Sequence, residues 1–322
     1  QAGDGALRGT IDPALTGGTA QDFTIKRVGS GATDCVFSAP EQSCVVSGLT
    51  NGIEYQFTAA ATNWLGDSGD SAPSTALAPS ADTFTSTWDT TKTSTGSSNS
   101  TTVKLPLVDG GDYNFSVSWG DGPAVQVTSA TDPDATHAYT TRGTKNVSIT
   151  GRIDGWRFNG SGDRLKLTDI STWGPLTLGN SGGYFKGAAN FNASATDIPD
   201  LDATTNFSEA FSGASAFNGD ISNWTVTSVT NMSGIFKDAS AFNRDLSNWN
   251  VSNVTNMSEA FAGSGFTNDL TNWTPVAATN MSSMFARSSF NQNISGWNTA
   301  SVTNMSSMFA GNAAFNQPIG RW

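Results

Sequence analysis

From Phe217 to Trp322 the apolar positions of the chain return in a fixed order, set in a polar background of Asn, Ser and Thr. Four columns can be read. They are Phe217, Phe242, Phe266 and Phe290; Trp224, Trp249, Trp273 and Trp297; Met232, Met257, Met281 and Met305; and Phe236, Phe261, Phe285 and Phe309. The first three step by 25, 24 and 24 residues, and Phe315 and Trp322 continue two of them by a further 25. Agreement between separate columns predicts stacked rungs, with these sixteen side chains as the repeat core. Within a rung, Thr303 or Asn304 is a natural N-cap, and Met305, Met308 and Phe309 fall at i, i+3 and i+4, which predicts one short helical turn. The alternation in Asn293-Ile294-Ser295 and Ser301-Val302-Thr303 predicts short strands, with Gly or Ser pairs turning the chain back. One such unit cannot cover its own apolar faces, so stability has to come from its neighbours.

The phrase F-N-x-D-I-x-x-W followed by V-T-N-M-S-x-M-F resembles the BspA-like repeats of bacterial surface proteins, relatives of the leucine-rich repeats. Four full copies and one partial copy carry it. Phe191 to Ala216 reads as a degenerate copy, and Asp169 to Trp173 with Tyr184 to Ala188 as another, so the resemblance covers about half the chain, from near Trp156. It implies an extracellular, non-catalytic, right-handed repeat scaffold, often attached to a cell surface.

Two further patterns precede the repeats. In residues 1–80, the run Cys44 to Phe57 (CVVSGLTNGIEYQF), then Ala61 to Gly66 and Ser71 to Ser74, resembles a fibronectin type III domain. That likeness implies that Leu49 plugs the core below a turn and Tyr55 anchors the next strand. Leu7 to Ile11 and Phe23 to Val28 would be earlier strands, with the usual first strand missing. In residues 81–155, Phe115 to Gly122 (FSVSWGDG), Thr136 to Thr144 and Asn146 to Thr150 resemble a PKD domain, an immunoglobulin-like sandwich. Alternation at Phe115, Val117 and Trp119, and at Val147 and Ile149, is a half-buried strand signature in its own right. Pro79-Ser80-Ala81 reads as a linker and Gly120-Asp121-Gly122 as a turn. The expected fold is mainly β: two sandwiches, then a strand and short-helix solenoid of leucine-rich-repeat type over residues 156–322. Within it, residues 156–190 hold a degenerate repeat and the cap, which runs from Trp156 to Trp173.

Composition narrows the partners. The chain has 322 residues, 13% of them charged, and a net charge of −11, which argues against nucleic acid and anionic membranes. From 217 to 322 there are five acids (Asp220, Asp238, Asp245, Glu259, Asp269) and four bases (Lys237, Arg244, Arg287, Arg321), net −1, so the acidity lies upstream. No apolar run is long enough for a membrane-spanning helix, and no signal peptide is recognisable. The first residue is Gln1 rather than Met, as expected of a processed or partial product.

Candidate chemistry is sparse. Cys35 and Cys44, nine apart across Pro40, are expected to form a structural disulfide between two hairpin strands, as suits an oxidising compartment. The single histidine, His137, has no recognisable nucleophile and orienting acid, and no two acids stand out as a glycosidase pair, so no catalytic residue is expected. Asp109, Asp112 and Asp121, with Asp132 and Asp134, are calcium candidates against the commoner turn-forming role; no other cofactor is implied. Asp220, Asp245 and Asp269 form a column that Asn293 and Pro318 interrupt. Asn206, Asn231, Asn256, Asn280 and Asn304 form another, read as a stacked ladder and caps rather than as glycan sites. The Trp column is either a sugar-stacking surface or core. A Thr-rich ice-binding face is disfavoured, because Thr225, Asn250, Thr274 and Asn298 make a broken row. The expected role is extracellular adhesion or surface display, with a protein or glycan ligand on the solenoid and the sandwiches as spacers. The alternative is a structural subunit of a surface filament, sheath or virion fibre whose partners are further copies of itself. Phe315 to Trp322 supplies only the opening of a rung, so further repeats, a cap or another subunit are expected to cover Met305, Met308 and Phe309.

Overall fold

A computed structural model describes residues 2–3, 6–10, 22–30, 33–38, 43–46, 49, 53–64, 66–77, 83–320 and 322. The linker Pro79-Ser80-Ala81, Pro40, Ile11 and Arg321 lie outside the described residues. The fold is mainly β, with no α-helix among the described residues. The chain divides into two compact units, Gln1–Asp82 and Thr83–Trp322.

The first unit holds β1 (Ala2–Gly3), β2 (Ala6–Thr10), β3 (Asp22–Arg27), β4 (Thr33–Ser38), β5 (Ser43–Val46), β6 (Phe57–Asn63) and β7 (Gly66–Asp67). They form two antiparallel sheets, β1-β2-β5 and β4-β3-β6-β7. Alternation along β3 sends Phe23 and Ile25 to one face, where Phe37, Val46 and Leu49 complete a small core. Cys35 on β4 is bonded to Cys44 on β5. These strands belong to different sheets, so the disulfide ties sheet to sheet and not two strands of one hairpin. The spacing alone suggested a hairpin because consecutive strands usually pair; here the chain crosses between layers instead.

The second unit begins with β8 (Thr83–Asp89), β9 (Thr102–Lys104), β10 (Leu107–Ser118), β11 (Val125–Val127), a 3₁₀ turn at Pro133–Ala135, β12 (Thr136–Ala138) and β13 (Thr144–Trp156). It continues with β14 (Leu167–Thr172), β15 (Leu176–Thr177) and β16 (Asn192–Ala193). The larger sheet runs β11-β10-β13-β8-β14-β16, with β15 beside β13, and β12 pairs with β9 separately. β8 thus lies between β13 and β14, both antiparallel to it, while β14 to β16 and β13 to β15 are parallel. One sheet therefore carries the antiparallel module into the parallel stack.

Beyond β16 the rungs meet by single parallel bridges, Asn206 to Asn231 to Asn256 to Asn280 to Asn304. The short strands expected at Asn293-Ile294-Ser295 and Ser301-Val302-Thr303 do not form, the bridge falling at Asn304 just beyond the second, and the short helix is replaced by consecutive turns. Ile235, Lys237 and Ala239 donate N–H to Met232, Gly234 and Phe236, three residues back. The amides between them, Met232, Gly234, Phe236 and Asp238, donate instead to Asn256, Ser258, Ala260 and Ala262 of the next rung, at 2.7–2.9 Å. A helix would spend those amides on its own chain; here alternate ones are exported, and helical spacing in sequence cannot reveal that choice. Such turns demand positive φ, found at Glu209, Gly234, Glu259, Ser283 and Ser307, and again at Gly213, Asp238, Gly263, Arg287 and Gly311.

Candidate functional site: the exposed ranks of the repeat stack

The interior is built first. Phe217, Phe242, Phe266 and Phe290, with Phe236, Phe261 and Phe285, make two interleaved stacks with every ring buried. Phe236 lies 4.0 Å from Phe242, which opens the next repeat, and 5.6 Å from Phe261, which closes it, ring centroid to ring centroid. Met232, Met257 and Met281 are buried as well, whereas Met305 and Phe309 in the last full rung are half-buried. The stack reaches back through Phe211 and Phe185 into the degenerate copies.

Trp224, Trp249, Trp273 and Trp297 are 2–4% exposed and face inward, so no stacking platform for a sugar is available on them. Their indole N–H groups form a ladder of their own: Trp249 Nε1 donates to the Ile221 carbonyl (3.0 Å), Trp273 Nε1 to Leu246 (2.8 Å) and Trp297 Nε1 to Leu270 (3.1 Å). Trp224, whose preceding rung is degenerate, has its buried Nε1 without such a partner.

The outer surface is polar and internally saturated. In the Asn column each Oδ1 accepts from the N–H two residues on, Asn206 from Ser208 and likewise Asn231, Asn256, Asn280 and Asn304 from Ser233, Ser258, Ser282 and Ser306. These side chains close local turns while their backbones make the bridges. Asp220, Asp245, Asp269 and Asn293 do the same for Ser222, Ser247, Thr271 and Ser295. The Ser222 N–H holds the Asp220 carboxyl below the usual carboxylate range, and the Thr271 hydroxyl does so for Asp269.

Two ranks escaped the sequence reading. A side-chain ladder follows the Phe column: Asn218 N–H donates to Asn192 Oδ1, Asn243 to Asn218, Thr267 to Asn243, and Asn316 to Asn291. The second is an exposed rank of threonines, Thr205, Thr230, Thr255, Thr279 and Thr303. Each N–H from Thr230 onward, and each hydroxyl, donates to the carbonyl of the Thr one rung before, the hydroxyls at 3.0–3.3 Å. The usable signal was identity at an exposed position in five successive rungs, while the position after Trp alternates between Thr and Asn.

Charge in the stack is mostly spent between rungs. Lys186 pairs with Glu209 and Lys237 with Glu259. Arg287 reaches Asp238 two rungs away (3.5 Å) over Gly263, where a Cβ would stand 2.3 Å from Asp238 Oδ1. At the head of the stack Asp163 and Lys166 are fully buried together (3.2 Å). Lys166 Nζ also donates to Ser98 O, Ser98 Oγ, Asn99 O and Thr102 O, and Asp163 accepts from the Ser98 and Lys104 amides and the Ser98 hydroxyl. Burial pushes the Lys166 pKa down, with the Asp163 carboxylate opposing it.

The calcium candidates do not assemble. Asp112 pairs with Arg152 (2.6 Å), and Asp121 pairs with His137 (2.8 Å), whose ring stacks on Trp119. No group of three His, Cys, Asp or Glu side chains suited to a metal ion occurs among the described residues. No described helix is long and apolar enough to cross a membrane.

A family model described as a Mycoplasma protein of unknown function, DUF285, matches residues 157–273 and 262–322. No curated protein and no solved structure matches the chain.

Proposed function

The chain belongs to the DUF285 family, and from that premise we propose that it is an extracellular, non-catalytic adhesion or surface-display protein. The repeats act as a leucine-rich-repeat-type solenoid that binds a protein or glycan ligand. The fibronectin type III-like and PKD-like modules ahead of it act as spacers. The observation that carries this reading is the exposed Thr rank, repeated in five rungs beside the exposed Thr225, Asn250, Thr274 and Asn298. A surface whose backbone is already saturated by its neighbours, uncharged and periodic, suits recognition of an extended polar partner through side chains held in place in advance. The disulfide accords with an oxidising, extracellular setting.

The test is binding of the full chain to glycan and extracellular-protein arrays, followed by Thr255→Arg on any ligand found. Arginine should weaken binding at least about tenfold, since one desolvated misfit in a contact patch costs on the order of 1.4 kcal/mol or more, and thermal stability should hold. Absence of any array ligand, or a ligand indifferent to Thr255→Arg, counts against the proposal.

A further inference from the structure

The outer edge of β6 is covered in an unusual way. Among the described residues no regular strand lies there: after β7 the chain runs back along β6 from Ser68 to Leu77 and touches it at every third residue. Ser68 N–H donates to the Ala61 carbonyl (2.8 Å), Ser71 to Ala59 (2.7 Å), Ser74 to Phe57 (2.8 Å) and Leu77 to Tyr55 (2.9 Å). At Leu77 the return bond is a backbone one, Tyr55 N–H to the Leu77 carbonyl (2.7 Å), but at the other three steps serine hydroxyls stand in place of backbone carbonyls. Ser68, Ser71 and Ser74 Oγ accept from the Ala61, Ala59 and Phe57 amides at 3.0–3.1 Å. Each hydroxyl then donates to the carbonyl of the following residue at 2.8 Å. The strap spends three residues against every two of β6, which amounts to one surplus residue, a bulge, at each step.

Among the described residues little else holds it. All of Gly66 to Leu77 is exposed, and beyond the backbone pattern the contacts are the exposed Lys26–Asp70 pair, the Gln56 amide on the Ser74 carbonyl and the Thr62 hydroxyl on Asp67. A segment held by exposed hydrogen bonds without apolar burial opens at low cost compared with a core strand. What it uncovers is a sheet edge, the surface most ready to accept a strand from another chain.

We infer that the outer edge of β6 is a strand-exchange surface, and that its partner is the Ser68–Leu77 strap of a second copy of this chain. The occupant follows from the pattern: the Ser-x-x-Ser-x-x-Ser spacing that fits three hydroxyls to Phe57, Ala59 and Ala61 is carried, in register, by every copy. The strap is followed after residues 78–82 by the second unit, so an exchanged strap brings the rest of its chain with it. Copies then join head to tail, or close as a pair, through contacts each already makes with itself. This stands apart from ligand binding by the repeats and survives its failure.

The test uses the full chain. In hydrogen exchange, the Phe57, Ala59 and Ala61 amides should exchange at least about tenfold faster than those of Phe23 and Ile25 in β3. After incubation at high concentration, light scattering should detect multimers, and Ser68→Ala/Ser71→Ala/Ser74→Ala, which loosens the strap equally within a chain and between copies, should speed their appearance several-fold without raising their final fraction. Ala59→Cys/Ser71→Cys, oxidised while monomeric, should abolish them. Exchange as slow as in β3, monomers at every concentration, or multimers that form equally in the stapled protein each overturn the inference. If the triple variant does not fold, the wild-type exchange rates and the stapled protein still decide it.

Discussion

The indole ladder permits an internal control that a single substitution lacks. Trp273 and Trp224 occupy the same rung position and are each 3% exposed, but only Trp273 Nε1 has a carbonyl to donate to, Leu246 at 2.8 Å. Replacing either by Phe removes the same volume and, at position 273 alone, one hydrogen bond; the Leu246 carbonyl keeps the Trp249 N–H (3.0 Å). A hydrogen bond contributes about 0.5–1.5 kcal/mol net, so Trp273→Phe should destabilise the second unit by about that much more than Trp224→Phe. Trp273→Ala, which empties the site, should cost about 3–5 kcal/mol from the lost packing alone. Urea unfolding of the full chain, followed by far-UV circular dichroism and resolved for the second unit, measures all three variants on one scale. Equal losses for the two Phe variants would refute the ladder as a source of stability. An unaltered midpoint for Trp273→Ala would refute the Trp column as core.

Lys166→Met strands the buried Asp163 carboxylate and should cost about 3–5 kcal/mol in chemical unfolding, whereas replacing both partners with apolar residues should cost less. Asp269→Asn should be nearly neutral at pH 7, because Asn293 holds the same turn one rung later (Ser295 N–H to Oδ1, 3.0 Å), and Asp269→Ala should cost about 1 kcal/mol. Because the folded-state pKa of Asp269 is lowered, its carboxylate adds stability above the unfolded value of about 3.9 and loses it as pH falls through the folded value. Acid titration of Asp269→Asn should therefore show a shallower loss below about pH 4 than wild type. Ser283→Gly, relieving φ 55° outside glycine, should raise stability by about 1 kcal/mol, and Gly263→Ala, at φ 66° beneath the Asp238–Arg287 pair, should lower it by at least as much; thermal melts of both check the pair of signs.

The period of the stack and the identity of its columns were legible because every rung repeats Phe, Trp and Met at one spacing. The backbone path was not. Met281, Met284 and Phe285 have the same helical spacing as Met305, Met308 and Phe309, yet consecutive turns with a left-handed residue bring all three of them into the core. The trace of that demand was the interchange of Gly234 with Glu259 and Ser283, and of Gly263 with Asp238 and Arg287, at matched positions. The disulfide partners could be read from there being only two cysteines, but not the layers they join, since a strand pattern does not say to which sheet the strand belongs. The Asn ladder was legible in kind and not in place. Both Asn columns recur, and only geometry shows that the one after Phe reaches between rungs while the one before Met serves its own turn.

The position of β8 between β13 and β14 bears on how the second unit carries load. The bonds between later rungs point along the direction in which rungs are added, so a pull along the stack meets them end-on and one at a time. At its head the stack shares β8 with the antiparallel module, and the Asp163–Lys166 clamp grips residues 98–104, so separation there requires the β8–β14 and β13–β15 pairings and the buried hydrogen bonds of the clamp to fail together. Drawn from its C-terminal end in a force spectrometer, the unit should release rungs in steps of about 8 nm, the extended length of one repeat, before a single stronger rupture frees the module behind them. That order of events, weak links outermost and the strong one at the root, lets the chain lose rungs under tension while the head of the stack stays joined to the module.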